Sequence, residues 1–144
     1  NVAAYTASVA LTVQQSGTVV TGNAAAGMTV TLPAAEAGLH FSVHVGTTIT
    51  TNSFIITGKT SADVFQGQLI SNDFSDLGSI TLLNENVATV AFDQPAVADY
   101  RITMSGTTTG GKLGSYVNCT AISAIIWNID GFLSSDGSLA TTFS

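Results

Sequence analysis

Residues 106–113 come closest to a known chemical motif. Their sequence, Gly-Thr-Thr-Thr-Gly-Gly-Lys-Leu, approaches the P-loop, in which backbone amides and a Lys hold phosphates and a hydroxyl binds magnesium. Leu113 stands where that hydroxyl is required. The residues from Tyr116 onward predict a strand, not the helix whose N-terminus would hold a phosphate. We therefore interpret the segment as a flexible hairpin loop.

The two histidines, His40 and His44, could bind a metal ion or titrate near neutral pH. Residues four apart on a strand are separated by about 13 Å, so these two cannot hold one ion within a chain. No Cys or carboxylate is spaced to complete a site with either of them. We expect polar side chains on a half-exposed strand. The alternative is that imidazoles from different chains meet at the axis of a symmetric oligomer.

The acidic residues do not form a convincing site either. Asp63, Asp73 and Asp76 could offer oxygen atoms to calcium, which takes about 6–8 such ligands. The surrounding sequence lacks the dense acidic pattern that would supply them, so a solvated turn is predicted. Glu36 and Glu85 are the only glutamates, and nothing places them together as a glycosidase pair. With no G-x-S-x-G elbow present, we expect no enzyme, cofactor or metal site.

Composition excludes two classes of partner. The 144 residues are only 8% charged, with three basic residues against nine acidic ones and a net charge of −6. An ordinary domain carries about 25% charged residues. A chain this poor in cations has no electrostatic basis for binding nucleic acid or for polybasic attachment to a membrane. Cys119 is the single cysteine, which excludes an intrachain disulfide.

The pattern of side chains predicts strands throughout. Thr, Val, Ile and Phe are abundant, and residues 39–46 alternate strictly between apolar and polar. About ten such segments are separated by Gly, Asn and Asp. We predict an all-β fold, namely a single-domain antiparallel β-sandwich or barrel of about ten short strands that covers residues 1–144. Residues 1–20 are expected to form an extended N-terminal arm, or an edge strand, used in subunit contacts.

Several strands and turns are predicted individually. Residues 9–14 alternate as a strand, and residues 64–70 form another that Gly67 interrupts. Two hairpins are predicted, one around residues 84–86 and one with a type I′ turn at Asp130-Gly131.

Candidate contact residues follow from the distribution of charge. Residues 1–35 contain no charged side chain, so this segment costs little to desolvate against a partner. Tyr5 would be its aromatic anchor. Trp127, the only tryptophan, is interpreted as a core or subunit-interface anchor. The candidate interface residues are Val2, Tyr5, Val9, Leu11, Trp127 and Phe143.

Several turns and strands share a pattern that covers roughly residues 29–143. A Thr-Leu-Pro-Ala-Ala turn and a Gly-Leu precede an alternating aromatic strand, and a Gly-rich loop, a strand and a W-x-V-x-G segment follow near the end. The segments are residues 31–35, 37–46, 53–56, 63–67, 110–117 and 127–131. This pattern resembles tailed-bacteriophage virion proteins of the capsid decoration, or cement, type, with departures at Lys112 and Ser115 in the loop and with Ile129 in place of the Val.

The resemblance implies a non-catalytic function. It implies a small β-rich subunit, expected as a homotrimer, that sits on the outer surface of a phage capsid and stabilises it by bridging major capsid protein subunits. Such a protein is made in the host cytoplasm and located in the virion. The alternative is a receptor- or glycan-binding module of a phage tail fibre or head fibre.

Overall fold

The computed structural model describes residues 1–73 and 90–144. Strands dominate these residues, together with a single 3-10 turn at Val13–Gln15, and the described ranges contain no α-helix. The strands are β1 (Val2–Tyr5), β2 (Val9–Ala10), β3 (Thr18–Gly22), β4 (Met28–Thr31), β5 (His40–Val45), β6 (Phe54–Thr57), β7 (Val64–Asp73), β8 (Val90–Asp93), β9 (Arg101–Met104), β10 (Tyr116–Ala121) and β11 (Ile126–Ser135). The all-β prediction is confirmed.

The strands form two mixed sheets. The seven-stranded sheet has the order β1-β3-β5-β10-β11-β7-β8, and the four-stranded sheet has the order β2-β4-β6-β9. The pairs β1–β3, β3–β5, β2–β4, β4–β6 and β7–β11 are parallel. The prediction of an antiparallel architecture is therefore wrong.

The parallel pairs follow from the path of the chain. From β1 to β7, successive strands alternate between the two sheets. The strands β3 to β6 therefore return to their own sheet by way of the other sheet, and each runs in the same direction as the earlier strand with which it pairs. The parallel pair β7–β11 is the exception, since β7 does not pair with β5. Parallel neighbours need such a crossover, whereas hairpins produce antiparallel ones. The short Gly-rich and Asn-rich connections resemble hairpin loops in sequence, but most of them join different sheets.

One hydrophobic core contains residues from both sheets. Along β5 the predicted alternation is confirmed, since Phe41, Val43 and Val45 are buried while the intervening side chains are more exposed. Trp127 lies in the same core, where its ring meets that of Phe41 at a centroid distance of 6.1 Å. The exposed face of the seven-stranded sheet is thus made by the residues that alternate with this core.

The N-terminal residues are part of the sheets. β1 is the edge strand of the seven-stranded sheet, and β2 ends the four-stranded sheet. Leu11 continues the contact of β2, since its amide donates to the carbonyl of Thr31 at 2.8 Å. Residues 1–20 therefore contain edge strands and the start of the internal strand β3, and they do not form an extended arm.

The Asp130-Gly131 dipeptide lies in the middle of β11, so the predicted type I′ turn is wrong. The chain turns instead between β10 and β11, where the amide of Ile122 donates to the carbonyl of Ile126 at 3.0 Å. Gly131 faces Val117 across the strand pair. A Cβ atom at Gly131 would lie 2.3 Å from the carbonyl oxygen of Tyr116. The glycine thus serves close packing of two strands, not a turn.

The strand predicted for residues 9–14 is shorter than expected. It ends at Ala10 and is followed by the 3-10 turn. The side chain of Gln15 caps this turn, because its Oε1 accepts from the amide of Thr12 at 2.9 Å and so satisfies that amide without a strand partner. The hairpin predicted around residues 84–86, together with Asp76 and Glu85, lies outside the described residues.

Candidate functional site

The register of the seven-stranded sheet aligns five side chains on its exposed face. His44 on β5 pairs with Tyr116 on β10, which pairs with Phe132 on β11. Phe132 pairs with Ile70 on β7, and Ile70 pairs with Phe92 on β8. Neighbouring strands are about 4.8 Å apart, so this row extends for about 19 Å. We call these five residues, which are four rings and the aliphatic Ile70, the aromatic row.

The aromatic row is accessible. The side chain of Phe92 is 65% exposed and that of Ile70 is 39% exposed, while Tyr116 and Phe132 are half-buried. The rings of His44 and Tyr116 stack at a centroid distance of 5.6 Å with an interplanar angle of 22°. This stacking orients the phenol ring of Tyr116 over the sheet.

A second row, of polar side chains, runs parallel to the first. Ser42, Asn118, Asp130 and Gln68 are aligned by the same register on β5, β10, β11 and β7. Ser42 Oγ donates to Asn118 Oδ1 at 2.7 Å, and Asn118 Nδ2 donates to Asp130 Oδ2 at 2.9 Å. We call these four residues the polar row. These two hydrogen bonds hold Ser42, Asn118 and Asp130 in place.

An open concavity of about 590 Å³ lies against part of the two rows. Tyr116 and Ile70 of the aromatic row line it, together with Asp130 and Gln68 of the polar row and with Gln94. Neither row contains a Lys or an Arg. The concavity therefore combines apolar surface with hydrogen-bonding groups and carries no fixed positive charge.

Both histidines lie on the exposed face of β5, as predicted. His40 is exposed, and His44 Nε2 is 3.0 Å from Ser42 Oγ. Within residues 1–73 and 90–144, no group of three or more His, Cys, Asp or Glu residues is placed to hold a metal ion. The contact with Ser42 makes His44 a neighbour of the polar row.

The Gly-rich loop, residues 106–113, is held by hydrogen bonds within the chain. The amide of Gly106 donates to the carbonyl of Gly110 at 2.7 Å, and the amide of Gly110 donates to Ser135 Oγ at 2.7 Å. Lys112 forms an ion pair with Asp136. A P-loop leaves such amides and its Lys free for phosphate, so this loop is a structural connection and is more constrained than the flexible loop that was expected.

The described aspartates of the predicted solvated turn are largely buried and serve as acceptors for the chain itself. Asp63 Oδ1 accepts from the amide of Ala35 at 3.0 Å, and its Oδ2 accepts from the amide of Thr60 at 2.9 Å. Asp73 Oδ1 accepts from the amide of Gly137 at 2.9 Å. Because they are buried and bonded in this way, Asp63 and Asp73 stabilise loops rather than form a solvated turn.

Three of the six candidate contact residues belong to the core. Trp127 is 0% exposed, Leu11 is 4% exposed and Phe143 is 6% exposed. Each packs inside the chain and presents little surface to a partner, and for Trp127 this is the core position that its sequence context allowed. Phe143 is buried because the C-terminal residues pair with β9, as in the bond from the Thr103 amide to the Thr142 carbonyl at 2.8 Å.

The other three candidates lie at the N-terminal edges of the sheets. Val2 is 70% exposed. Tyr5 and Val9 are partly buried and pack against the core, and the hydroxyl of Tyr5 accepts a hydrogen bond from Gln15 Nε2 at 3.0 Å. Only Val2 is therefore a largely free surface residue.

The aromatic row was not evident from the sequence. Alternation along residues 116–121 predicts that Tyr116, Asn118 and Thr120 share one face of a strand. The neighbours of Tyr116 could not be predicted, because Phe132 and Ile70 become adjacent only through the pairing of β10 with β11 and of β11 with β7.

The thiol of Cys119 is buried in the core beneath the polar row. Burial raises the pKa of Cys119 well above its ordinary value, and the carboxylate of Asp130 raises it further. Since the thiolate is the reactive form, we expect alkylation by iodoacetamide at pH 8 to be roughly a hundredfold slower in the native protein than in urea. Mass spectrometry of timed samples measures this, and equal rates would contradict it.

The same shift predicts the direction of a pH effect on stability. The unfolded thiol loses its proton above about pH 8.5, whereas the buried thiol retains it. The unfolded state then binds fewer protons, so the free energy of unfolding falls as pH rises above that value. Urea titrations at pH 7.5 and pH 9.5 measure the fall, and Cys119→Ala should reduce it.

Comparisons with known proteins identify no relative. No family model, no curated protein and no solved structure matches the chain. Within residues 1–73 and 90–144, no helix is long and apolar enough to cross a membrane.

Proposed function

We propose that the chain is a structural virion protein that decorates the outer surface of a phage capsid and stabilises it by bridging major capsid protein subunits. The observation that carries the proposal is the edge strand β1, which is uncharged and ends the seven-stranded sheet. The resemblance of residues 29–143 to capsid decoration proteins supports the same function. The protein would act as a homotrimer, without catalysis or cofactor, on the virion surface.

The edge strand β1 carries none of the side chains that usually prevent pairing with another chain. Natural edge strands carry Lys, Pro or bulges that prevent such pairing. β1 has the sequence Val-Ala-Ala-Tyr, and the first charged residue of the chain is Glu36. A strand of a capsid subunit or a sister subunit could extend the sheet at this edge by main-chain hydrogen bonds.

The finer architecture that we propose is a β-sandwich. It is supported by the single core that residues of both sheets share, since two sheets packed face to face bury their inner side chains in this way. A rigid body of this kind would hold β1 and the N-terminal edge in a fixed orientation. If the protein binds the assembled capsid and not the separate subunits, its binding would stabilise the assembled state by mass action.

Ala4→Pro tests the role of the edge. The carbonyls of Asn1 and Tyr5 accept hydrogen bonds from the amides of Val19 in β3 and Asn23 just after it, at 2.9 and 2.7 Å, so the amide of Ala4 points away from β3 by strand alternation. Proline at this position removes an outward-facing donor and keeps the internal ladder. We expect Ala4→Pro to reduce occupancy on capsids by about tenfold or more, which is the effect of about 1.4 kcal/mol. Ala4→Val keeps the amide and should bind normally.

Quantitative mass spectrometry of purified particles measures both copy number and occupancy. We expect on the order of several hundred copies per particle, because decoration follows the symmetry of the capsid. A count of about a dozen or fewer would assign the protein to a tail and overturn the proposal. Full occupancy by Ala4→Pro would overturn pairing through β1 while leaving decoration intact.

A further inference from the structure

We propose that the exposed face of the seven-stranded sheet binds a neutral oligosaccharide, in which the aromatic row packs against pyranose rings and the polar row bonds their hydroxyls. This goes beyond capsid decoration and does not depend on it. The face lies on the strands around β10 and β11, whereas the proposed capsid contact uses the outer edge of β1.

The aromatic row offers the apolar half of such a site. A pyranose ring presents C–H groups on its faces and hydroxyls around its rim. Flat rings that are accessible and already oriented bind such a face with little loss of conformational freedom. Tyr116 is oriented by its stacking on His44, and it lines the concavity beside Ile70.

The polar row offers the hydrogen-bonding half. It lies two residues along each strand from the aromatic row, which is about 6.6 Å. Asp130 Oδ2 already accepts from Asn118, so the carboxylate is held in position while its Oδ1 is available to a hydroxyl donor. Gln68 is exposed beside it and has both a donor and an acceptor.

The charges on this face favour a neutral ligand over an anion. The fixed charge of the two rows is the carboxylate of Asp130, and neither row offers a Lys or an Arg as its partner. A phosphate, a sulfate or a sialic acid would meet a negative group without a compensating cation. A polyhydroxyl ligand supplies donors to that carboxylate and carries no charge to repel.

The same charges disfavour a second copy of the chain as the occupant. Packing two such faces together would take two Asp130 carboxylates out of water without a cationic partner, which is costly. The apolar part of the face is also narrow, because a polar row flanks it directly. The ligand therefore has to combine apolar faces with hydroxyl groups, which is the chemistry of a sugar.

Amide chemical-shift mapping of the whole chain tests the proposal. The probes are cellohexaose, maltohexaose and mannohexaose at up to about 10 mM, with sialyllactose as the anionic comparison. We expect at least one neutral probe to shift signals of β5, β7, β10 and β11 more than sialyllactose does. Absence of shifts with all three neutral probes, or shifts confined to other strands, would overturn the site.

Two variants and one control make the test specific. Tyr116→Ala removes the stacking ring, and Gln68→Ala removes an exposed amide without disturbing the core. Each should weaken binding of the responsive probe about tenfold, while Val13→Ala, an exposed apolar residue of the 3-10 turn, should bind as the parent does. Unchanged affinity in Gln68→Ala and in a folded Tyr116→Ala would contradict the assignment.

Light scattering and capsid occupancy separate this proposal from its competitors. If the parent protein self-associates and Phe92→Ala abolishes that association, the face is a subunit interface and the oligosaccharide proposal fails. Gln68→Ala should leave capsid occupancy unchanged. Loss of sugar binding with full occupancy would therefore support this site without affecting the proposed decoration function.

Discussion

Replacing Trp127 by Ala should lower the free energy of unfolding by about 3–5 kcal/mol. The indole is 0% exposed, lies in the core shared by both sheets and meets the ring of Phe41. Its removal would leave a large cavity that the surrounding strands cannot fill. Urea denaturation followed by far-ultraviolet circular dichroism measures the change, since it does not depend on the lost tryptophan fluorescence.

Two further variants identify the cause of that loss. Trp127→Phe should cost much less than Trp127→Ala, because it retains most of the ring and removes an indole Nε1 that has no hydrogen-bond partner among the described residues. Phe92→Ala, which truncates a 65% exposed ring, should cost less than about 1 kcal/mol. A loss in Trp127→Ala no larger than in Phe92→Ala would show that the indole is not a core residue.

Gly67→Ala should destabilise the protein by about 2–5 kcal/mol. Gly67 has a φ angle of +115°, and a Cβ atom there would lie 2.1 Å from the carbonyl oxygen of Ile129 on the neighbouring strand. A left-handed conformation costs an L-residue about 1–2 kcal/mol, and forcing atoms into a packed region adds about 1–3 kcal/mol. Both effects destabilise the pairing of β7 with β11, and these two strands carry part of the proposed sugar site.

Gly38→Ala is the matched control for the backbone angle. Gly38 has a similar φ angle of +97°, but a Cβ atom there would meet nothing within 4 Å. We expect it to cost only about 1–2 kcal/mol. The difference between the two variants, measured by urea denaturation, isolates the steric clash with Ile129. Equal losses would mean that β7 and β11 can separate without penalty.

The two proposed binding surfaces have different structural requirements. The β1 edge needs only free main-chain groups, so it would tolerate changes of side chain. The aromatic and polar rows need particular side chains in register, such as Tyr116 beside Phe132. Variants at Ala4 and at Gln68 therefore report on separate functions of one protein.

Local patterns predicted the strand content correctly. The alternation of Phe41, Val43 and Val45 with polar residues has a period of two, which is a property of the strand itself. The predicted interruption at Gly67 is wrong, because β7 runs without a break from Val64 to Asp73 and Gly67 pairs in register with Ile129. The alternation depends on residues within a few positions of one another, whereas the pairing of Gly67 depends on a distant strand.

Other local signals were ambiguous. Asp-Gly favours a type I′ turn, but a glycine also permits the close approach of another strand. Gly131 is needed for the second reason, because the backbone of Tyr116 lies close to it. Trp127 was equally compatible with a core and with an interface. Burial depends on what packs against the indole, and Phe41 is distant in the sequence.

The sequence by itself determined that this protein is nearly all β, poor in charge and without an evident catalytic or metal-binding motif. These are properties of composition and of short-range alternation. Only the tertiary structure decided the mixed sheets, the edge position of β1 and the alignment of His44, Tyr116, Phe132, Ile70 and Phe92 in one row. Register and strand order arise from pairing between distant segments, and a shift of one residue would turn every one of those side chains to the other face.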